Sequence, residues 1–170
     1  MKKLLLIRHA KSSWLDHTLT DFERPLNDRG RMYAPMMGEL LARQGAKPDI
    51  IYSSPANRAL ATARIIAEKL NYPLDDIIVK EKIYEGHHHD LMQLINALDD
   101  KYEYAVFFGH NPAFTFLAEQ LTHQEIGNIP TCGVYGISFK WDKWSKIREG
   151  DGENFLFLYP KKDLKGEVLK

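Results

Sequence analysis

Short runs of aliphatic, β-branched and aromatic residues alternate with stretches of helical periodicity, and this alternation limits the fold more than any other feature. Leu4 to Ile7, Asp49 to Tyr52, Ile77 to Val79 and Tyr104 to Phe108 read as strands. Continuous apolar runs of this length suit strands covered on both faces. Between them, residues 56–70 place Ala59, Ala63, Ile66 and Leu70 on one helical face, with Ser54 as a cap and Pro55 suited to the first turn. Residues 90–98 gather Leu91, Leu94, Ile95 and Leu98, and residues 113–121 follow an Asn111-Pro112 start signal. Residues 31–43 are helical in composition but contain Pro35, which predicts a start near it or a kink at it. Val134 to Phe139 and Asn154 to Tyr159 read as a terminal antiparallel pair. The pattern predicts an α/β protein: a three-layer α/β/α sandwich whose central sheet is mostly parallel with an antiparallel edge.

The chain of 170 residues suits one domain, expected over residues 1–160, followed by a charged, frayed tail over 161–170. Its 23 basic and 23 acidic side chains cancel, so no overall basic field draws in nucleic acid. Lys2 and Lys3 before an apolar run resemble the start of a signal peptide. The run stops at Arg8 after four residues, short of the roughly 7–15 that such a segment needs. No stretch approaches the roughly 18 apolar residues of a membrane span. A lone cysteine, Cys132, forms no internal disulfide. These features predict a cytoplasmic protein with neither nucleic acid nor membrane as a partner.

Three segments carry chemistry. Arg8 and His9 stand where the first strand ends, and ligands of open α/β sheets bind outside such carboxyl ends. Arg58 falls in the first turn of the helix after the second strand, where free N–H groups already favour an anion. His110 follows Gly109 at the end of the fourth strand, and Gly109 is expected to let backbone approach a ligand closely. Arginine forks match phosphate oxygens, and an unprotonated imidazole is a nucleophile near neutral pH. The set suits phosphoryl transfer through a phosphohistidine. The fixed cations would stabilise the transferring group, so no cofactor or metal is expected.

Five segments in order, Leu-Ile-Arg8-His9-Ala-Lys-Ser, Asp21-Phe-Glu-Arg24-Pro25-Leu-Asn-Asp-Arg-Gly30, Ser53-Ser-Pro-Ala-Asn-Arg58-Ala-Leu-Ala-Thr62-Ala, Ile-Tyr84-Glu85-Gly and Gly109-His110-Asn111-Pro112, resemble the histidine phosphatase superfamily, which has the phosphoglycerate mutase-like fold. Within it the chain is most similar to the SixA-type phosphohistidine phosphatases, over roughly residues 2–160. The resemblance implies that His9 is the nucleophile, that Arg8, Arg58, His9 and His110 hold the phosphate, and that Glu85 is the proton donor. Ala10 replaces the glycine common after the catalytic histidine, and no loss of activity is expected from it. An imidazole leaving from phosphohistidine is less basic than an alkoxide and needs no strong acid. With Glu85 present, both phosphohistidine proteins and small phosphomonoesters remain open as substrates.

Other readings stand beside these. A small-molecule phosphomonoesterase and a non-catalytic phosphate-binding protein of the same fold are the alternatives. A mutase is disfavoured because the chain has little length left for a covering insertion. His87, His88 and His89 invite a metal reading, but consecutive residues point in different directions. A loop opening a helix, near the rim of the site, is expected instead. Thr62 reads as helix packing or a back-bonded hydroxyl, Arg24 and Pro25 as locks on the loop after the first strand, and Cys132 as a small filler. Lys11 and Ser12 can reach either phosphate or water.

Overall fold

Lys2–Arg8 forms the first strand, β1, at the centre of a six-stranded sheet. The structure is a computed structural model and describes residues 1–165. Successive β1 side chains point to opposite faces, so Leu4 and Leu6 join one core cluster while Leu5 and Ile7 join the other. Lys2 belongs to the fold as well. It is fully buried, and its ammonium donates to the carbonyls of Asp100 and Tyr102 at 2.6 and 2.9 Å.

The chain then forms α1 (Asp28–Arg43), β2 (Ile50–Ser53), α2 (Asn57–Lys69), β3 (Ile78–Val79), α3 (Glu81–Glu85) and α4 (His88–Asn96). It continues through β4 (Tyr104–Gly109), α5 (Ala113–Thr122), β5 (Val134–Phe139), β6 (Glu153–Leu158) and α6 (Pro160–Asp163). The strand order is β3-β2-β4-β1-β5-β6. β3, β2, β4 and β1 pair in parallel, and β5 and β6 add the antiparallel edge. Met37 and Leu41 of α1 pack with Ala63 and Ile66 of α2 on one face, and Leu91, Ile95, Phe114 and Leu117 of α4 and α5 pack on the other. This is the three-layer sandwich expected from the alternation.

Four local expectations are corrected. α1 begins neither at nor near Pro35 but at Asp28, where the Asn27 side chain accepts from the Gly30 N–H at 2.9 Å. That cap opens the helix upstream, and Pro35 is carried inside it. Ser54 does not cap α2. Ala56 holds that position, and the Ser54 hydroxyl accepts from the Ala56 N–H instead. β3 is an exposed two-residue edge strand, since a strand with one neighbour has no layer to cover both faces. The tail after Pro160 is not frayed from its start: Pro160–Asp163 is helical and Leu164 is fully buried against the β1–α1 face. The packed body therefore runs past residue 160, and residues 166–170 of the expected tail lie outside the described residues.

Candidate active site

Parallel pairing brings the two histidines together. Arg8 of β1 is in register with Gly109 of β4, and the His9 N–H donates to the Gly109 carbonyl at 3.0 Å. His9 and His110 thus stand side by side one residue beyond the strand ends, their ring centroids 5.2 Å apart. From β1 the chain leaves to α1 on one face, and from β4 it leaves to α5 on the other. Such divergence opens a crevice at the carboxyl edge of a sheet. Gly109 serves packing here rather than ligand approach: a Cβ on it would come within 2.5 Å of the Phe114 ring and 2.7 Å of Ile83.

A cavity of about 340 Å³ at this edge is lined by Arg8, His9, Lys11, Ser12, Arg24, Arg58 and His110, with Trp14, Asn111 and Thr131. Four of the five predicted site residues therefore share one cavity. Glu85 lies elsewhere. It is exposed at the end of α3 and lines an adjoining groove of about 520 Å³ that shares His110 and Asn111 with the cavity.

His9 is almost fully buried, and its Nδ1 lies 2.7 Å from the Ala10 carbonyl. A carbonyl can only accept, so Nδ1 carries the proton and the lone pair sits on Nε2. Burial, opposed in part by that hydrogen bond and reinforced by Arg58, Arg8 and Arg24, lowers the His9 pKa to about 4. His110 is lowered to about 3 by burial, by His9 and by Arg58. Its Nε2 meets the Ser54 hydroxyl at 2.8 Å. Both imidazoles are thus neutral at pH 7. The buried Nε of Arg8, Nε of Arg58 and Nδ1 of His110 have no hydrogen-bond partner. The two arginine Nε–H donors carry a desolvation cost, which an oxyanion beside them would relieve.

Two residues matter more than their sequence suggested. Thr62 is back-bonded as expected, its hydroxyl donating to the Arg58 carbonyl at 2.8 Å. The same oxygen accepts the Ala10 N–H at 2.9 Å, which holds the residue whose carbonyl orients His9. Asp21 is a hub. Its backbone carbonyl and Oδ2 accept from Nη1 and Nη2 of Arg58 at 2.7 and 3.0 Å, and Oδ2 also accepts from the Tyr84 hydroxyl at 2.9 Å. Oδ1 accepts from Nε and Nη2 of Arg24. Asp21 thereby takes the outer edge of the Arg58 fork and leaves the buried Nε without a partner. Burial would raise the Asp21 pKa, but the bonds from Tyr84, Arg58 and Arg24 outweigh it and hold the pKa at about 2. Arg24 locks the loop, donating to Ser12 Oγ at 2.7 Å, and also lines the cavity, which its sequence position did not reveal. The only signal for Asp21 was its place in the Asp21-Phe-Glu-Arg24-Pro25 segment.

The histidine run opens α4, where Asp90 accepts from the His87 N–H at 2.8 Å, and all three histidines line the adjoining groove. Among the described residues no group of three His, Cys, Asp or Glu side chains is placed to hold a metal. Burial raises the Cys132 thiol to about 12, consistent with a filler. Among the described residues no helix is long and apolar enough to cross a membrane.

Fold and site together define an α/β protein with a cationic strand-end cavity built around a neutral, oriented imidazole. The chain belongs to the histidine phosphatase superfamily (branch 1), whose family model matches residues 4–117. It is 33% identical over 93 residues to phosphoglycerate mutase 1 of Saccharomyces cerevisiae and 36% identical over 90 residues to phosphoserine phosphatase 1 of Hydrogenobacter thermophilus. These matches cover 54% and 52% of this chain but only 38% and 40% of those proteins. A solved structure from Agrobacterium tumefaciens, titled as a candidate phosphohistidine phosphatase SixA, superposes with a TM-score of 0.80 at 25% identity, covering 94% of this chain and 98% of that one. The fold is also that of a protein histidine phosphatase SixA solved with tungstate (TM-score 0.80, 19% identity, 94% and 97% covered).

Proposed function

We propose that this protein is a phosphatase that works through a phosphohistidine on His9, and that its substrate is a protein phosphorylated on histidine. The observation that carries the reading is the state of His9: neutral at pH 7, its Nδ1–H held by Ala10, its Nε2 lone pair free in a cavity with Arg8, Arg24, Arg58 and His110. In the first step Nε2 forms a bond to phosphorus as the bond to the leaving nitrogen or oxygen breaks. The leaving group takes up a proton. In the second step water attacks phosphorus, the bond to His9 breaks, and phosphate departs with the proton that the water gives up. Arg8, Arg58 and His110 hold the equatorial oxygens, and the two arginine Nε–H groups have no other partner in the protein.

The likeness to SixA-type structures over nearly the whole chain supports the phosphohistidine substrate. So does the chemistry of the leaving group, because an imidazole can be protonated before departure. Glu85 favours a second reading. It lies in the groove beside His110, on which an alkoxide would leave, so a small phosphomonoester is the alternative substrate, with Glu85 as proton donor. A cytoplasmic setting belongs to the same proposal.

The test is labelling with a radioactive phosphoryl donor, followed by acid and base treatment. The expected adduct is acid-labile, base-stable and absent in His9→Ala, and turnover is expected to persist in chelator. Hydrolysis undiminished in His9→Ala overturns the mechanism. Efficient hydrolysis of small esters with histidine-phosphorylated proteins left untouched overturns the protein substrate.

A further inference from the structure

A second cavity, of about 350 Å³, lies across a wall formed by Lys11 and Thr131, which line both it and the His9 cavity. Arg29 and Tyr33 of α1 and Tyr159 and Lys161 around the start of α6 complete its polar lining, and no carboxylate lines it. Among the described residues the side chains of Lys11, Arg29 and Lys161 form no ion pair or hydrogen bond. The acids next to them in sequence are engaged elsewhere, Asp28 with Arg31 and Asp163 with Lys162 and the Tyr159 N–H. Three unpaired cations thus converge on one concavity of a chain whose formal charges cancel. A hollow lined by one sign of charge focuses its field on a counter-ion.

The wall itself is built to lie between the cavities. The Lys11 carbonyl packs so closely on Gly30 that a Cβ there would stand 2.2 Å from it, and the Asn27 N–H donates to the same carbonyl at 2.9 Å. Lys11 is thereby pinned against the start of α1, within reach of both sides.

We propose that this second cavity is an anion subsite that takes a carboxylate or phosphate of the same substrate whose phosphoryl group reaches His9. The inference rests on the phosphatase reading of the His9 cavity and adds a substrate class: molecules with a second anionic group beside the scissile phosphoryl group. Lys11, Arg29 and Lys161 supply the charge, and the hydroxyls of Tyr33, Tyr159 and Thr131 supply neutral donors. Two sources fit this chemistry, a bisphosphorylated metabolite and a phosphohistidine with acidic neighbours.

The experiment compares two matched pairs of substrates. One pair is fructose 1,6-bisphosphate and fructose 6-phosphate. The other is two peptides, each phosphorylated on a single histidine, with glutamates or glutamines two residues to either side. p-Nitrophenyl phosphate is the reference. The wild-type enzyme is expected to favour the doubly anionic member of one pair by about tenfold in kcat/KM, the scale of one charge-assisted contact. The pair that responds identifies the source. Arg29→Ala/Lys161→Ala is expected to erase that preference through KM and to leave p-nitrophenyl phosphate turnover unchanged. Equal turnover within both pairs by the wild-type enzyme, a preference that survives in the double variant, or an equal loss for p-nitrophenyl phosphate overturns the subsite. Lys161→Ala alone, at an exposed side chain, repeats the comparison if the double variant folds poorly. Failure of the phosphatase reading shows differently, as no p-nitrophenyl phosphate turnover by the wild-type enzyme or as turnover intact in His9→Ala.

Discussion

Replacing Asp21 by Asn keeps the side chain's size and removes its charge. The carboxylate accepts from Arg58, Tyr84 and both edge nitrogens of Arg24, and the amide must turn an NH2 group toward one of these donors. The Asp21 pKa is held at about 2 against an ordinary 3.8, which corresponds to about 2.4 kcal/mol before screening. The side chain is 50% exposed, so solvent reduces this to about 1 kcal/mol. Because the folded pKa lies below the unfolded one, this stabilisation is complete above about pH 3.8 and is lost as pH falls through 2. Denaturant unfolding at pH 7 is expected to show the deficit of about 1 kcal/mol, and the two proteins are expected to converge toward pH 2. Activity falls too, because the outer edge of the Arg58 fork and the Tyr84 hydroxyl lose their anchor. A loss of about tenfold in kcat/KM corresponds to about 1.4 kcal/mol of transition-state stabilisation. A variant with equal or higher kcat/KM and tighter phosphate binding would refute the reasoning, since Asp21 would then compete with phosphate for Arg58 rather than position it.

Three further outcomes are expected. Thr62→Val leaves the buried Ala10 N–H without its acceptor and is expected to cost about 2 kcal/mol in unfolding experiments, while Thr62→Ser restores most of it; equal stability of the two variants would remove Thr62 from the account. His9 and His110, held neutral with pKa values of about 4 and 3, are expected to show no imidazole titration by NMR between pH 5.5 and 8. Their folded pKa values lie below the ordinary 6.5, so stability is complete above pH 6.5 and declines as pH falls toward 4 and 3; a midpoint near 6.5 for either ring would show that burial does not govern it. Glu85→Gln is expected to slow hydrolysis of alkyl phosphates by about a hundredfold, the lower end for general acid catalysis, and to spare phosphohistidine turnover; equal effects on both would remove Glu85 as a leaving-group acid.

Much of the architecture was legible because the information is local. Leu4–Ile7 and Ala105–Phe108 are continuous apolar runs, and only a strand covered on both faces buries them fully. Val134–Phe139 was located to the residue. The misreadings fall where a local signal had a rival. Pro35 argued for a helix start near it or a kink at it, and the Asn27 cap, which opens the helix upstream, removes the start. Ser54 looked like a cap, but its hydroxyl serves Ala56 and His110. The charge of residues 161–170 argued for fraying, but Leu164 is an apolar side chain that the β1–α1 face can bury.

The candidate site divides along the same line. Its residue types and order are sequence properties: Arg8 and His9 at one strand end, His110 at another, Arg58 in a first helical turn. Their meeting is not, because it depends on β1 pairing in parallel with β4 in the register that sets Arg8 opposite Gly109. That pairing joins segments about a hundred residues apart, and it is selected by burial of both sheet faces, not by local preference. The neutrality of His9 likewise comes from burial and from the Ala10 carbonyl, and the role of Asp21 from three donors converging from separate elements. The amino-acid order alone determined which chemical groups the protein carries and which elements bear them. Only the tertiary structure decided which groups share a cavity and in what protonation state, because distance and desolvation are properties of the packed chain.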